Sequence, residues 1–221
     1  MIYFDKVSKF YRTQVSVKTI LENVSCEFPI GRNVGILGVN GAGKSTLLRL
    51  LAGSELPDKG SIIRQCRVSF PLAFDGAIHP KLSARENIRF IANAYGHRVK
   101  PIIDYVSDFA ELGAYFDMPC ETYSSGMRAR LSFGLCLAIQ FDVYLVDEIT
   151  AVGDARFQAR CRAAFAERTA QASVIMVSHS FDTIRSYCTT GAVLDAGKLT
   201  FYDEIDAAIN VYRQMIGTVA T

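Results

Sequence analysis

The chain has 221 residues, half of them hydrophobic and 21% charged, an ordinary globular balance at a length between one domain and two. Its 24 basic and 22 acidic residues leave a net charge of +2, and the basic ones are scattered, so no dense stripe for nucleic acid is present. Six cysteines without a C-x-x-C pair or zinc-ligand spacing, a charged start at Asp5-Lys6 and no run near the ~18 apolar residues of a span indicate reduced thiols in a soluble or peripheral protein.

Residues 2–10, 20–30 and 60–70 mix polar and apolar positions, with turns at Gly31 and at Pro57-Asp58-Lys59-Gly60. They predict an exposed, antiparallel β region. Val34-Gly35-Ile36-Leu37 is a short apolar strand, and Gly38-Val39-Asn40-Gly41-Ala42-Gly43-Lys44-Ser45 directly after it matches G-x-x-x-x-G-K-[ST]. The helical run Thr46-Leu47-Leu48-Arg49-Leu50-Leu51 comes next, closed by Gly53. Glycines turn backbone N–H groups toward phosphate oxygens, and the helix start adds a partial positive charge. The predicted phosphate site is therefore Gly38, Asn40, Gly41, Ala42, Gly43, Lys44, Ser45 and Thr46. Lys44 neutralises β/γ-phosphate charge there, and the Ser45 hydroxyl ligates Mg²⁺.

From about residue 81 to 140 the periodicity turns helical. Ser83-Ala84-Arg85-Glu86 fits a capping box, and Ile88, Ile91, Ala94 and Tyr95 share the next helical face. Ile102, Ile103, Val106, Phe109 and Ala110 mark a second amphipathic stretch. His79 and His97 lie in loop-like segments and read as structural.

Val143-Tyr144-Leu145-Val146 and Val174-Ile175-Met176-Val177 are continuous apolar runs, as strands buried on both faces of a parallel sheet require. A third short run is Ala192-Val193-Leu194. The first delivers Asp147 and Glu148 to a strand end, where α/β sheets place their ligands. Adjacent acids there point in alternate directions and take different roles: Asp147 suits the Mg²⁺ shell, and Glu148 the attacking water. The second run ends in Ser178-His179, where the histidine either serves the γ-phosphate or is structural. Residues 203–216 predict a terminal helix, with Ile205, Ile209, Tyr212 and Ile216 facing the core or a partner.

These elements in this order resemble the nucleotide-binding subunit of ABC transporters. The resemblance is made specific by Tyr123-Ser124-Ser125-Gly126-Met127, similar to the Leu-Ser-Gly-Gly-Gln signature of that family. It implies an α/β P-loop NTPase fold: one domain over residues 1–221 with a mostly parallel core sheet, an antiparallel β region and a helical insert. It also implies that His179 is the switch histidine, that Tyr11 (with Phe10 beside it as a core alternative) stacks on adenine, and that Asp154 in Ala151-Val152-Gly153-Asp154 is the acid of a dimer loop. One departure is plain. The family has a glutamine between the phosphate loop and the insert, and Val68-Ser69-Phe70-Pro71-Leu72-Ala73-Phe74-Asp75-Gly76 contains none.

Tyr115-Phe116-Asp117-Met118-Pro119, the tyrosine-led signature and the stretch from Val146 to Asp154 narrow the resemblance to exporters of capsular polysaccharide and O-antigen. Many O-antigen exporters carry an additional C-terminal carbohydrate-binding domain, whereas this sequence ends soon after its predicted terminal helix. The resemblance is therefore closer to the capsule exporters of Gram-negative bacteria and implies export of capsular polysaccharide. The activity implied by the resemblance is ATP hydrolysis with Mg²⁺ at the cytoplasmic face of the bacterial inner membrane. Its implied partners are a transmembrane permease, further envelope export proteins and no nucleic acid. The alternatives are an ABC subunit for lipid, drug or ion, or a soluble ABC ATPase. A GTPase is disfavoured because no N-K-x-D motif is present. Finally, Ser124-Ser125-Gly126 opens a helix that the family sets on the far side of the sheet. A second copy is therefore expected, head to tail, with ATP between residues 38–45 of one chain and 124–126 of the other.

Overall fold

The structure, a computed structural model, describes residues 1–12, 16–72, 78–147 and 154–219, with side chains to 217. The described residues group into two compact units, one drawn from Met1–Pro71, Phe141–Glu148 and Ala172–Thr221, the other from Leu72–Gln140 and Ile149–Gln171.

The first unit opens with Ile2–Arg12 (β1) and Val17–Phe28 (β2), which pair antiparallel, and Lys59–Arg64 (β4) joins β1 on its other side. The register slips between Phe4 and Val7 and again before Lys9. Lys6 and Asn23 both take a φ of 50° there, as residues in bulges do. Two serines replace ladder bonds lost at the slip: Lys6 N–H donates to Ser25 Oγ and Asn23 N–H to Ser8 Oγ, each at 2.9 Å. Ile2, Phe4 and Val7 nevertheless stay on the buried face.

The second sheet runs in the order β5-β6-β3-β7-β8, with Val34–Leu37 (β3) at its centre. Val143–Asp147 (β5), Ser173–Val177 (β6) and Thr190–Asp195 (β7) lie parallel with β3, and Lys198–Tyr202 (β8) closes the edge antiparallel. The apolar runs are buried throughout, as expected of central parallel strands. The helix Lys44–Ala52 (α1) sends Leu47, Leu48, Leu50 and Leu51 into one core with β1, β2 and the parallel strands.

Phe181–Tyr187 (α6) and Ile205–Val219 (α7) complete this unit. The start of α7 lies so close to the sheet that a Cβ on Gly191 would come within 2.4 Å of Ala208 Cβ. Ile205, Ala208 and Ile209 are buried there, and the Tyr212 ring meets Phe181 edge-on at 6.1 Å. The stripe ends sooner than its periodicity implies, because Ile216 is 39% exposed.

The second unit holds Ala84–Ala94 (α2), Val99–Ala110 (α3), Ser125–Ala138 (α4) and Ala155–Thr169 (α5). The capping box forms, with Ser83 accepting from Glu86 N and Glu86 from Ser83 N. The insert read from sequence as 81–140 gains α5. Phe157 meets Phe109 at 5.4 Å, Arg130 lies 4.4 Å over the Phe157 ring, and Arg160 pairs with Asp108 and Glu111. The contacts of Phe157 with Phe109 and of Arg160 with Asp108 and Glu111 join residues about fifty positions apart, beyond any local periodicity.

Candidate active site

The parallel register brings three motifs together. Ile36 stands beside Val177, and Val177 beside Asp147, so β3, β6 and β5 end at one level. The phosphate loop, Ser178-His179 and the Asp147 carboxylate therefore leave the sheet side by side, at the carboxyl edge where such sheets bind ligands. A cavity of about 400 Å³ opens there. It is lined by Tyr11, Lys18, Ile20, Asn40, Gly41, Gly43, Lys44, Ser45, Thr46, Asp147, Val177 and His179. All of these belong to the sheet unit.

The loop is shaped by its glycines. Gly43 N-caps α1 at φ 111°, and a Cβ on it would fall 2.3 Å from Ile20 Cγ2. No other residue fits that conformation and that space. Ala42 N–H closes a turn to the Val39 carbonyl at 3.0 Å. The Lys44 ammonium lies across its own loop and donates to Gly38 O at 2.6 Å and Val39 O at 3.1 Å. The cation is thereby held at the loop, beside the α1 amino end and its partial positive charge. Thr46 is buried at the cavity wall, and Gly38 and Ala42 form the loop without lining that cavity.

Ser45 and Asp147 offer hard oxygens of the type Mg²⁺ takes. Among the described residues no group of three or more His, Cys, Asp or Glu could hold a metal by itself. This fits an ion completed by nucleotide phosphates and water, with two protein oxygens. His179 is exposed beside Lys44. Its backbone is fixed on the far side, where Ser180 N–H donates to Ser178 Oγ at 3.1 Å and Ser180 Oγ caps α6 by accepting from Thr183 N.

Two lining residues carry no sequence motif. Lys18 stands opposite Tyr11 in the β1–β2 ladder, and its Nζ would lie 3.3 Å from a Cβ on Gly41. A second cation therefore overhangs the phosphate loop. Ile20, 2% exposed, is the wall that Gly43 packs on. Neither has a local sequence signal, and Lys18 reaches the site through its pairing with Tyr11.

The signature lies in the helical unit, outside this cavity. Tyr123 is buried and donates its hydroxyl to Tyr115 O at 2.7 Å. Burial pushes its pKa well above the usual tyrosine range. Ser124 N-caps α4 by accepting from Met127 N at 3.2 Å, so the helix begins at Ser125. At Gly126 a Cβ would meet nothing nearer than Ser124 Oγ at 3.9 Å. Asp117 of the Tyr115–Pro119 motif takes two bonds from Arg85, at 2.6 and 3.1 Å. Asp154 N-caps α5, accepting from Phe157 N at 2.9 Å. Glu148 lies outside the described residues, as do residues 73–76 of the stretch that lacks a glutamine.

Residues 21–151 match the family model described as ABC transporter. The chain is 43% identical over 216 residues to the polysialic acid transport ATP-binding protein KpsT of Escherichia coli, covering 96% of each. It is 42% identical over 215 residues to the capsule polysaccharide export ATP-binding protein CtrD of Neisseria meningitidis, covering 97% of this chain and 100% of that protein. Among solved structures it resembles an ATP-binding cassette described as a dimer in a post-hydrolysis state bound to ADP and Pi. That likeness has a TM-score of 0.74 at 19% identity and covers 93% of this chain and 99% of that one.

Proposed function

The chain belongs to the ABC transporter family, and from that premise we propose that it is the ATP-hydrolysing subunit of an exporter of capsular polysaccharide. The observation that carries the chemistry is the meeting of Lys44, Ser45, Asp147 and His179 around one cavity with Tyr11 in its wall. The substrate class rests on full-length similarity to proteins named for that export.

Tyr11 stacks on adenine, while the amides of residues 38–46 and the Lys44 ammonium hold the phosphates. Ser45 and Asp147 would hold Mg²⁺, which would supply neutralisation of charge on the phosphate oxygens. Glu148 orients a water and takes its proton as the water oxygen bonds to the γ-phosphorus. The bond to the β–γ bridging oxygen breaks, and ADP and phosphate result. His179 donates to the γ-phosphate.

No helix among the described residues is long and apolar enough to cross a membrane. The subunit works peripherally, at the cytoplasmic face of the inner membrane, on a separate permease and with further envelope export proteins. A second copy supplies Ser124-Ser125-Gly126 to the γ-phosphate and Asp154 to the dimer loop. The test is reconstitution of the chain with its permease in lipid. ATP turnover is expected to rise severalfold over the free chain and to vanish with Lys44→Ala. Equal turnover with and without permease would remove the transport assignment.

A further inference from the structure

β4 begins only at Lys59, and its last pairing with β1 is Ser8 with Lys59. Beyond Ser8, the strand that carries Tyr11 has a strand partner on the β2 side alone. The loop between α1 and β4 takes the place of the missing strand. Phe10 N–H donates to Asp58 Oδ2 at 2.8 Å, Asp58 N–H to Ser8 O at 2.9 Å, and Lys9 Nζ to Leu56 O at 3.0 Å.

Glu55 is the hub of that loop. One carboxylate oxygen accepts from the Tyr11 hydroxyl at 2.6 Å and lies 3.0 Å from Lys9 Nζ. The other accepts from Arg49 Nε at 2.9 Å. Arg49 in turn donates through Nη2 to Tyr11 Oη at 3.1 Å and to Thr46 Oγ1 at 3.0 Å. A chain of bonds therefore runs from the tyrosine ring to the helix that opens at the phosphate loop. Glu55 and Lys9 side chains are only 18% and 11% exposed, a depth at which charges need partners. Burial pushes the Glu55 pKa up, but bonds from Tyr11, Arg49 and Lys9 outweigh it and hold the carboxylate below its ordinary 4.5.

We propose that Glu55 is a positioning residue for nucleotide binding, setting the base-stacking ring of Tyr11 against the phosphate end of the cavity. The proposal rests on the reading of Tyr11 as the adenine-stacking residue. Tyr11 lines the cavity and is 37% exposed as a residue while its hydroxyl is held from three sides. A tyrosine placed only for packing would bury its ring. Here the fixed hydroxyl and the fixed strand together set the ring plane, so a base arrives at a surface already in position.

The test compares ATP with inorganic tripolyphosphate, which has no base, by calorimetry on the whole chain with Mg²⁺. Tyr11→Ala tests the stacking reading, and Glu55→Gln and Tyr11→Phe test the clamp. Tyr11→Ala is expected to weaken ATP by tenfold or more and leave tripolyphosphate unchanged. Glu55→Gln and Tyr11→Phe are each expected to weaken ATP roughly three- to tenfold with tripolyphosphate unchanged, raising KM and sparing kcat. The double variant is expected to fall short of the product of the two effects, since both act through one bond. If Tyr11→Ala lowers the ATP preference and neither clamp variant does, the clamp is wrong and stacking stands. If Tyr11→Ala changes nothing, the stacking reading fails and takes the clamp with it. Equal losses for both ligands in Glu55→Gln would make Glu55 a fold residue only. Should that variant not fold, Tyr11→Phe decides alone, because it removes a single hydroxyl.

Discussion

Replacing Gly43 by alanine adds one methyl group at the tightest point of the site. The new Cβ would lie 2.3 Å from Ile20 Cγ2 and 3.3 Å from Ile20 Cδ1, and Ile20 is locked in the core at 2% exposure. Holding an alanine at φ 111° costs about 1–3 kcal/mol. Overpacking against Ile20 adds about 1–3 kcal/mol. The free loop sheds part of this strain by shifting, but a loop wrapped on phosphates must resume the native conformation, so the strain reappears as lost affinity. With a factor of ten for every ~1.4 kcal/mol, the low end of the sum already gives roughly a 30-fold weaker ATP complex. Titration of a fluorescent ATP analogue measures it. Ile20→Ala in the same chain removes the obstacle but not the φ strain, so the double variant is expected to regain the overpacking share alone. ATP affinity within threefold of wild type for Gly43→Ala, or a double variant no better than the single, would refute the argument.

Three further outcomes are expected. Glu148→Gln retains ATP binding while turnover falls by a factor of ~10² or more, measured by phosphate release, and turnover above a tenth of wild type would remove Glu148 as the principal base. Mixing Lys44→Ala with Gly126→Asp chains restores ATP trapping at one site of each mixed dimer, because one composite site then carries both lesions and the other none. Trapping no better than either variant alone, with mixed dimers shown by tag pull-down, counts against the shared site. Burial pushes the Cys26 and Cys188 thiols up to about 12 from an ordinary 9.0, so the folded chain keeps protons the unfolded chain releases. The stability this gives is complete below pH 9.0 and is lost as pH rises toward 12. Melting temperature should fall over that window, and less steeply in Cys188→Ala, and an unchanged slope would contradict the assignment.

What was legible in the sequence was whatever a short stretch determines alone. The run from Val143 to Val146 has the continuous apolar pattern expected of a strand buried on both faces, and the glycines of residues 38–43 before Lys44 fit a phosphate loop on local grounds. Ser83 and Glu86 announced their helix through a bond across one turn. What stayed hidden depends on partners far along the chain. Lys18 enters the site through its pairing with Tyr11, and Glu55 through a bond spanning 44 positions. The helix α5 joins the insert because Phe157 meets Phe109. Ile216 shows the limit of periodicity: it shares a helical stripe with Ile209 yet lies exposed, since the pattern fixes a common face and not how far the neighbouring surface extends.

Ser124 and Asp154, both assigned by resemblance to a contact with another copy, are the N-caps of α4 and α5. This is no conflict. A serine hydroxyl has two acceptor lone pairs and one donor, so accepting from Met127 N leaves the O–H for a phosphate oxygen. A carboxylate has about four acceptor positions, of which the bond from Phe157 N uses one. Capping also fixes each side chain at a helix mouth, where the remaining N–H groups favour an anion. The same bond that begins each helix therefore sets the group a neighbouring copy would meet. Substituting either residue perturbs two functions at once, with about 1 kcal/mol lost from the helix start before any contact is considered. Gly126 separates the two: with open space around it, an added side chain burdens only what docks there.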